Sequence, residues 1–379
     1  MESTIVKPKI LFILHLAPPV HGAAVAGGYI KDSSLINQSV DATYINLATA
    51  SSLEDIGKTG FKKILVIVKL WYSIFLTLKR EEYQLCYLTI NAKGPAWLKE
   101  LSIVALVKLF RLPIIYHYHN KGVAENSTNF IKKKLYSFQF KNTKTILLSP
   151  LLYNDIAPFV KKNEVYYCPN GIPTATSIQK ELLVTNTTKT TTILFLSNLI
   201  ESKGVYILLE ACVVLKKKGI PFRCIYIGGK GDITAKQLEE KVIQHNLQNE
   251  VEYQGKKYGI EKERAFAEAD LFAFPTYYHN ETFGLVNLEA MQFALPIIST
   301  FEGAIPEVVQ DGITGYLVPQ QNAVALADKL EILINNPALR KEMGLAGKKQ
   351  YEEKFTLEIF EKKMLEILLD ASATTTKQN

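Results

Sequence analysis

The repeating unit of the fold first appears in "KILFILHLAPP", residues 9–19. This short, continuous apolar run closed by two prolines is typical of a buried strand. A Gly/Ala-rich turn follows, and the next residues predict a helix from about Ala24 to Ile36. A buried strand followed by a helix is the building block of a parallel sheet. The first forty residues therefore indicate an α/β protein.

The same unit recurs in two runs along the chain. Eight strands are predicted, each followed by helical residues: 9–19, 83–90, 112–120, 143–150, 191–199, 222–231, 269–276 and 295–300. A Thr-rich segment, 174–192, separates the two runs and is predicted to be the interdomain linker. We therefore expect an α/β fold with two Rossmann-like domains facing a cleft, over 1–173 and 193–355. A last amphipathic helix, about 356–370, is expected to pack back on the first domain.

The charge of the chain is divided unevenly. Residues 1–180 hold 22 Lys+Arg against 11 Asp+Glu, and residues 181–379 hold 22 against 26, giving balances of +11 and −4. A basic half predicts an anionic partner, for which an anionic membrane surface and nucleic acid are both candidates. A solvated lysine surface without a partner is the alternative. No RNA-binding signature is present, so we expect no nucleic-acid partner.

The N-terminal half also contains a candidate interfacial helix, "FKKILVIVKLWYSIFLTLKR" at 61–80. Sixteen residues separate Lys63 from Arg80, and lysines interrupt them, so the segment is too short and too charged to cross a bilayer. Its aromatic residues among lysines suit a membrane surface, whereas a buried domain helix is the alternative. With no signal peptide and no CxxC pair in the sequence, we expect a cytoplasmic protein, peripheral at the inner face of the cell membrane.

The stretch "HNETFGLVNLEAMQFALP", 279–296, places acidic residues in an apolar setting. If a helix begins near Gly284, then Leu285, Glu289 and Phe293 share one face, which puts a carboxylate on the side meant for the core. No cation stands four residues before or after Glu289. An unpaired buried carboxylate is costly, so its partner is either distant in the chain or not protein.

A nucleotide sugar would supply that partner. Helix N-termini bind anions, and Gly284 has no side chain to obstruct the backbone amides. Glu289 would lie about 7.5 Å further along the axis, at ~1.5 Å per residue, which suits the separation of a diphosphate from a ribose diol. Glu281, just before the helix, would face the sugar's hydroxyls. One nucleoside diphosphate sugar would satisfy all three features.

The same stretch resembles the E-x7-E signature of retaining glycosyltransferases of the GT-B fold, the family called GT4. Four further segments are similar to the family in position and type: "CPNGIP" (168–173), "LFLSNLIESKGVYILLEA" (194–211), "IYIGGKGD" (225–232) and "TFEGAIPEVVQDGITGYLV" (300–318). In the last segment Ala304 replaces the second glycine of the family pattern. The similarity is strong over roughly 165–355 and looser over 1–164.

The resemblance implies roles for residues of the C-terminal half. Lys203 matches the family's phosphate-binding lysine, and Phe283, Gly284 and Leu285 lie where the donor phosphates are bound. Asn198 stands where the family commonly has an arginine, and it brings no charge. Stabilisation of the leaving group would then depend on Lys203, on the helix N-terminus and on further lysines, for which Lys230 and Lys256 are alternatives.

In the N-terminal half, the resemblance covers a loop and a histidine. Gly22, in "PPVHGAAVAGG" at 18–28, matches the family's first Gly-rich loop, although Ala23 replaces a second glycine and a plain tight turn is the alternative. His119 ends a predicted strand, where the family has a histidine that contacts the transferred sugar near its reacting carbon. His117 would point the same way, and we favour His119 because it directly precedes the turn.

The resemblance as a whole implies a retaining glycosyltransferase. It would move a sugar from a UDP- or GDP-sugar to a glycan or lipid-linked oligosaccharide acceptor, as in cell-surface polysaccharide synthesis. Lys203 and the amides of Gly284–Leu285 would stabilise charge on the departing phosphate, and Glu281 would orient the sugar. We expect no metal and no cofactor besides the donor. The alternatives are a nucleotide-sugar 2-epimerase of the GT-B fold and a non-catalytic two-lobed ligand-binding protein.

Overall fold

A computed structural model of the chain describes residues 7–18, 21–48, 61–175 and 190–376. The chain divides into two compact units. The N-terminal unit comprises Met1–Asn170 and Leu357–Asn379, and the C-terminal unit comprises Gly171–Thr356. Most of the predicted linker, 176–189, lies outside the described residues.

Each unit contains one parallel six-stranded sheet. The strands of the N-terminal unit are β1 (Lys9–Leu14), β2 (Asp41–Asn46), β3 (Leu85–Ile90), β4 (Ile114–Tyr118), β5 (Thr143–Leu147) and β6 (Val165–Tyr167). Those of the C-terminal unit are β7 (Thr192–Leu196), β8 (Arg223–Ile227), β9 (Val251–Tyr253), β10 (Leu271–Ala273), β11 (Ile297–Thr300) and β12 (Gly315–Val318). The strand orders are β2-β1-β3-β4-β5-β6 and β12-β11-β10-β7-β8-β9. The predicted α/β fold with two Rossmann-like domains is confirmed.

Fourteen α-helices are described between and after these strands. They are α1 (Gly22–Asp32), α2 (Ser34–Ser39), α3 (Phe61–Arg80), α4 (Gly94–Leu109), α5 (Val123–Asn126), α6 (Phe130–Phe140), α7 (Val205–Lys217), α8 (Ala235–Gln244), α9 (Gly259–Glu268), α10 (Leu285–Gln292), α11 (Ile305–Val308), α12 (Ala323–Asn335), α13 (Pro337–Lys354) and α14 (Leu357–Thr376). Short 3₁₀ helices cover Pro150–Asp155, Lys162–Glu164 and Glu201–Lys203. In the described part of the chain, no helix is both long and apolar enough to span a bilayer.

The four strands that the sequence did not predict are β2, β6, β9 and β12, and all four lie at the edges of the sheets. Edge strands have one open side, so they lack the continuous apolar run that marks a buried strand. The prediction of one helix from Ala24 to Ile36 was wrong, because the segment forms two helices, α1 and α2, separated at Ser33. The Ser33 side chain accepts a hydrogen bond from the amide of Ile36 and caps α2.

The two faces of the N-terminal sheet are covered by different helices. Helix α14 contacts α1, α2 and β3, and its buried residues Met364 and Leu368 share a hydrophobic cluster with Phe12, Tyr87 and Ile115. Right-handed crossovers place α3, α4 and α6 on the opposite face. The last helix, which begins one residue later than predicted and runs to Thr376, is thus part of the N-terminal unit's core.

Truncation of a buried side chain in α14 tests this packing. Met364→Ala should lower the free energy of unfolding of the N-terminal unit by about 2–4 kcal/mol, since Met364 is fully buried. Both tryptophans, Trp71 and Trp97, lie in this unit, so tryptophan fluorescence during denaturation measures it selectively. Leu369→Ala, on the same helix but 39% exposed, is the matched control. Equal losses in the two variants would contradict the packing.

Candidate functional site

The start of α10 has the geometry of an anion site. Gly284 is its N-cap residue, with a left-handed backbone conformation at φ 69°. A Cβ at this position would lie 2.7 Å from Nδ2 of Asn287, so the turn requires glycine. Because glycine has no side chain, the cap residue offers no acceptor to the first amides of α10. The predicted helix start near Gly284 is therefore confirmed.

Glu281 joins this helix start to a lysine from another part of the chain. Its Oε1 accepts a hydrogen bond from the Gly284 amide at 3.0 Å, and its Oε2 lies 3.2 Å from Nζ of Lys203. Only 14% of the Glu281 side chain and 22% of the Lys203 side chain are exposed. Nζ of Lys203 also lies 5.7 Å and 5.5 Å from the ring centroids of Phe274 and Tyr278. A cation is thus held beside the positive end of α10.

Local backbone packing explains how Lys203 reaches this place. It ends the 3₁₀ helix after β7, and the next residue, Gly204, has φ 91°. A Cβ on Gly204 would lie 2.3 Å from the carbonyl oxygen of Pro275, so the loops after β7 and β10 are in close backbone contact. The Tyr277 amide donates a 2.7 Å hydrogen bond to the Ser202 carbonyl. The carboxyl ends of two adjacent strands therefore fix Lys203 beside Glu281.

The expectation that Glu289 faces the core was wrong. Its side chain is 26% exposed, and its Oε1 lies 2.9 Å from Nζ of Lys262 on α9. The sequence left open whether the partner of Glu289 is a distant group of the protein or a ligand. The structure shows a protein cation, Lys262, 27 residues away along the chain. Glu289 and Lys262 form a partly exposed ion pair that lies more than one helical turn beyond Gly284.

Asn198 and two candidate lysines belong to a second loop contact. Oδ1 of Asn198 accepts a 3.3 Å hydrogen bond from the amide of Gly229, in the loop after β8. A Cβ on Gly229 would lie 2.3 Å from Cε of Lys256, so the stem of this lysine covers the glycine. Lys230 takes part in an isolated parallel bridge with Leu199. The side chains of Asn198 and Lys256 therefore both lie against Gly229, a proximity that the sequence did not reveal.

The two neighbours of Gly284 have different surroundings. Phe283 is 2% exposed and its ring packs edge-on against Phe355 at 5.9 Å, so its side chain belongs to the core and only its backbone could meet a ligand. Leu285 is half-buried and contributes the first helical amide. The segment 300–318 supports them, because the Ala304 amide donates a 2.8 Å hydrogen bond to the Thr282 carbonyl.

Asn287 is a site residue that sequence reasoning missed. It is fully buried in the first turn of α10, and neither atom of its side-chain amide has a hydrogen-bond partner among the described residues. A buried amide without partners is costly and is usually satisfied by water or a ligand. The only sequence signal was an amide in the first turn of an otherwise apolar helix.

Four histidines gather at the carboxyl end of the N-terminal sheet. His119 directly follows β4, and its ring centroid lies 4.1 Å from that of His117, which shares its side of the strand as predicted. His21 caps α1, accepting a 3.4 Å hydrogen bond from the Ala24 amide, and its ring lies 5.7 Å from that of His15. The sequence singled out His119 and missed His15 and His21, which come from the loop after β1.

Glu100 is a further residue that the sequence did not reveal. Its fully buried carboxylate accepts hydrogen bonds from the backbone and side chain of Asn91, at 2.7 Å and 2.8 Å, and lies 3.3 Å from Nε2 of His15. Nδ1 of His15 is 3.1 Å from Oγ1 of Thr89. These contacts fix the ends of β1 and β3 and orient the His15 ring. The pairing joins residues more than eighty positions apart, which periodicity cannot reveal.

Gly22 is the first residue of α1, and the space around an added Cβ there is open for 4 Å. Two residues of its predicted loop, 19 and 20, lie outside the described residues. Gly22 therefore leaves the N-terminal end of α1 unobstructed, next to the His21 ring.

Burial sets the protonation of this histidine cluster. Burial, with smaller contributions from the nearby His15 and His21, lowers the pKa of His119 to about 3. Burial, followed by the charge of His119, also holds the pKa of His117 well below its usual range. His119 is therefore a neutral imidazole at physiological pH, suited to hydrogen bonds with uncharged hydroxyl groups.

The stability of the N-terminal unit should consequently depend on pH. The unfolded His119 ring titrates near pH 6.5 and the folded ring at about 3, so unfolding takes up a proton between these values and stability falls as the pH falls. From pH 7 to pH 5 this loss is at most about 2 kcal/mol for His119. His119→Gln should remove that part, measured by tryptophan fluorescence. His245→Gln, in the C-terminal unit, is the control, and an unchanged pH dependence in His119→Gln would refute the assignment.

The C-terminal half of the chain matches a known family model. Residues 179–350 match the model of the family "Glycosyl transferases group 1". The chain is 33% identical over 180 residues to the amylovoran biosynthesis glycosyltransferase AmsK of Erwinia amylovora, covering 46% of this chain and 44% of the relative. It is 31% identical over 166 residues to the capsular polysaccharide biosynthesis glycosyltransferase CapM of Staphylococcus aureus, covering 44% and 42%. The match spans less than half the length of these relatives.

Solved structures extend the similarity to both units. A glycosyltransferase from Rickettsia africae has a TM-score of 0.77 at 19% identity, covering 96% of this chain and 98% of that one. Anabaena Alr3699/HepE, solved in complex with UDP and glucose, has a TM-score of 0.69 at 18% identity, covering 95% and 99%. At these identities the structures establish the fold. Together with the family match, they confirm the predicted resemblance to glycosyltransferases of the GT-B fold.

Proposed function

We propose that this chain, whose residues 179–350 match the model of the group 1 glycosyl transferases, transfers a sugar from a nucleoside diphosphate sugar to a glycan or lipid-linked oligosaccharide acceptor. One observation supports this most strongly: Glu281 holds Lys203 beside the open N-terminus of α10. A lysine and several backbone N–H groups converge there, as the phosphates of a donor require. We assign donor binding to the C-terminal unit and acceptor binding to the N-terminal unit.

The proposed chemistry depends on stabilising the leaving group. As the bond between sugar and diphosphate breaks, negative charge grows on the departing phosphate. The ammonium of Lys203 and the amides at the start of α10 would stabilise this charge without having to reorganise, because they are already held in place. The phosphate can then take the acceptor's proton. Because the protein's own cation and amides stabilise the leaving group and the departing phosphate accepts the proton, we infer that the reaction retains the configuration of the sugar and needs no metal ion.

Glu281 has two tasks in this scheme. It positions Lys203 in the absence of donor, and its carboxylate can accept hydrogen bonds from the hydroxyls of the bound sugar. When the phosphates attract Lys203, the oxygen that faced the lysine becomes available. Glu281 thereby links donor binding to orientation of the sugar. We propose no covalent role for it.

Glu289 would bind the ribose hydroxyls of the donor. A carboxylate near a diphosphate normally opposes binding by charge repulsion. Lys262, 2.9 Å from Glu289, offsets that charge and leaves the second carboxylate oxygen available as an acceptor. The buried amide of Asn287, beneath Gly284, is a further group that a bound donor or an ordered water would satisfy.

The names of the two relatives, AmsK and CapM, support an acceptor in cell-surface polysaccharide synthesis, since they describe amylovoran and capsular polysaccharide biosynthesis. The UDP complexes of Alr3699/HepE support a UDP-sugar over a GDP-sugar as the first donor to test. The basic N-terminal unit suits an acceptor carried on an anionic membrane surface, at the cytoplasmic face of the cell membrane. Neutral histidines such as His119 suit contact with uncharged sugar.

Substitution of the two acidic residues should separate binding from turnover. Glu289→Gln should raise the Kd for UDP or GDP about tenfold, because one charged hydrogen-bond acceptor is lost. Glu281→Gln should change this Kd little but lower kcat on the order of a hundredfold, because Lys203 and the sugar are no longer oriented. Calorimetry and donor turnover measure the two effects. Glu240→Gln, an exposed carboxylate on α8, is the control. Parent-like binding and turnover in both variants would refute the site.

A double-mutant cycle tests the role of Lys262. Lys262→Met should weaken nucleoside diphosphate binding about tenfold, since it leaves the Glu289 charge uncompensated, whereas Lys262→Arg should retain binding. In a Glu289→Gln background the same Lys262→Met change should have little effect. Equal losses in the two backgrounds, measured by calorimetry, would show that Lys262 acts independently of Glu289.

A further inference from the structure

Helices α3, α4 and α6 lie side by side on one face of the N-terminal sheet, with α4 in the middle. Helix α4 contacts both neighbours, and Phe75 of α3 packs edge-on against Phe110 at the end of α4, 5.8 Å between ring centroids. Trp97 of α4 stacks on Tyr136 of α6 at 4.3 Å. The inner sides of the three helices are therefore fixed by packing, and their outer sides form one continuous surface.

This outer surface is rich in apolar side chains. Large apolar residues of the three helices that are at least 41% exposed are Leu65, Val66, Val68, Trp71, Tyr72, Leu98, Leu109, Phe130, Ile131 and Phe138. On α3, Leu65, Val68 and Tyr72 recur at helical spacing and form an outward stripe. The helices on the opposite face of the sheet, α1, α2 and α14, have one comparable residue among those described, Leu369. A cluster of this kind on one face only marks an interaction surface.

The same surface is strongly basic. Helix α3 contains five Lys and Arg residues, α4 contains two and α6 contains three, while the single acidic residue of these helices, Glu100, is buried. On the other face, α1, α2 and α14 contain three basic and five acidic residues. The basic residues of these helices are therefore concentrated in the three helices that also expose apolar side chains, and Lys69, Lys133 and Lys134 are exposed among them.

Lysines and apolar residues alternate on this surface rather than forming separate patches. Lys69 lies between Leu65 and Tyr72 on the outer stripe of α3. On α6, Nζ of Lys134 lies 4.3 Å from the ring centroid of Phe130. Aromatic and aliphatic side chains among lysines match the boundary between lipid headgroups and acyl chains, where apolar groups insert and cations meet phosphates.

We propose that the outer surface of α3, α4 and α6, here called the basic helical face, binds an anionic lipid bilayer, with α3 lying in the plane of the interface. The described helices are not able to span a bilayer, so contact is peripheral. A nucleic acid would use the charge but not the exposed aliphatic stripe, and a protein partner would not need exposed lysines on both α3 and α6. The proposal rests on the proposed function only for the location of the acceptor.

Vesicle flotation with the full chain tests the proposal. The parent should bind vesicles of phosphatidylcholine with about one-third phosphatidylglycerol, should bind pure phosphatidylcholine weakly, and should release as salt is raised. Lys69→Gln, Lys133→Gln and Lys134→Gln together should weaken binding on the order of a hundredfold, at about fivefold per exposed lysine. Val68→Glu with Tyr72→Glu should weaken it as well, because an anionic side chain would replace the inserted one.

The opposite face supplies matched controls. Lys362→Gln with Lys363→Gln, and separately Leu369→Glu, make the same changes on α14 and should leave vesicle binding unchanged. Trp71 is 41% exposed and Trp97 is buried, so vesicle binding should shift the fluorescence to shorter wavelength in the parent and not in Trp71→Phe. The variants on the basic helical face should keep the parent's calorimetric affinity for nucleoside diphosphates.

The possible outcomes are distinct. Binding that is lost only in the variants of the basic helical face, with nucleotide affinity intact, supports the proposal. No flotation of the parent at low salt, or equal loss in the α14 controls, overturns it. Binding of the basic helical face to single-stranded RNA but not to vesicles also overturns it. Vesicle binding without nucleotide binding would instead contradict the proposed function and leave the surface assignment standing.

Discussion

The contact of one carboxylate with a lysine and a helix start organises the candidate site. Glu281 accepts the Gly284 amide with one oxygen and meets Lys203 with the other. Removing any of the three would leave a buried or half-buried charge without its counterpart, which is costly. The arrangement is possible because Gly204 and Gly284 adopt left-handed conformations and lie against neighbouring atoms that leave no room for a Cβ. Two glycines thus determine where the charged groups can be.

The two units place different charged groups at the ends of their parallel six-stranded sheets. The C-terminal unit gathers cations and free amides at the ends of its strands, where an anionic ligand can be bound. The N-terminal unit gathers histidines there and keeps at least His117 and His119 uncharged by burial, while lysines such as Lys69, Lys133 and Lys134 are exposed on its helices. In the proposed function, this separation would let one part of the chain attract an anionic surface and another part contact neutral sugar.

The sequence predicted the elements that depend on local pattern and missed those that depend on pairing across the fold. The central strands, α3 and the start of α10 follow from apolar runs and from Gly284, all visible locally. The partner of Glu289 was not predictable, because Lys262 is placed by the packing of α9 beside α10. The contact of Glu100 with His15 likewise requires the strand order of the sheet, which periodicity does not contain.

The crystal structure of the protein with UDP tests the central claim most directly. We expect phosphate oxygens within hydrogen-bond distance of the Leu285 and Val286 amides, with Nζ of Lys203 turned from Glu281 toward the phosphates. A nucleotide bound elsewhere, with the contact between Lys203 and Glu281 unchanged and no phosphate at the start of α10, would contradict it.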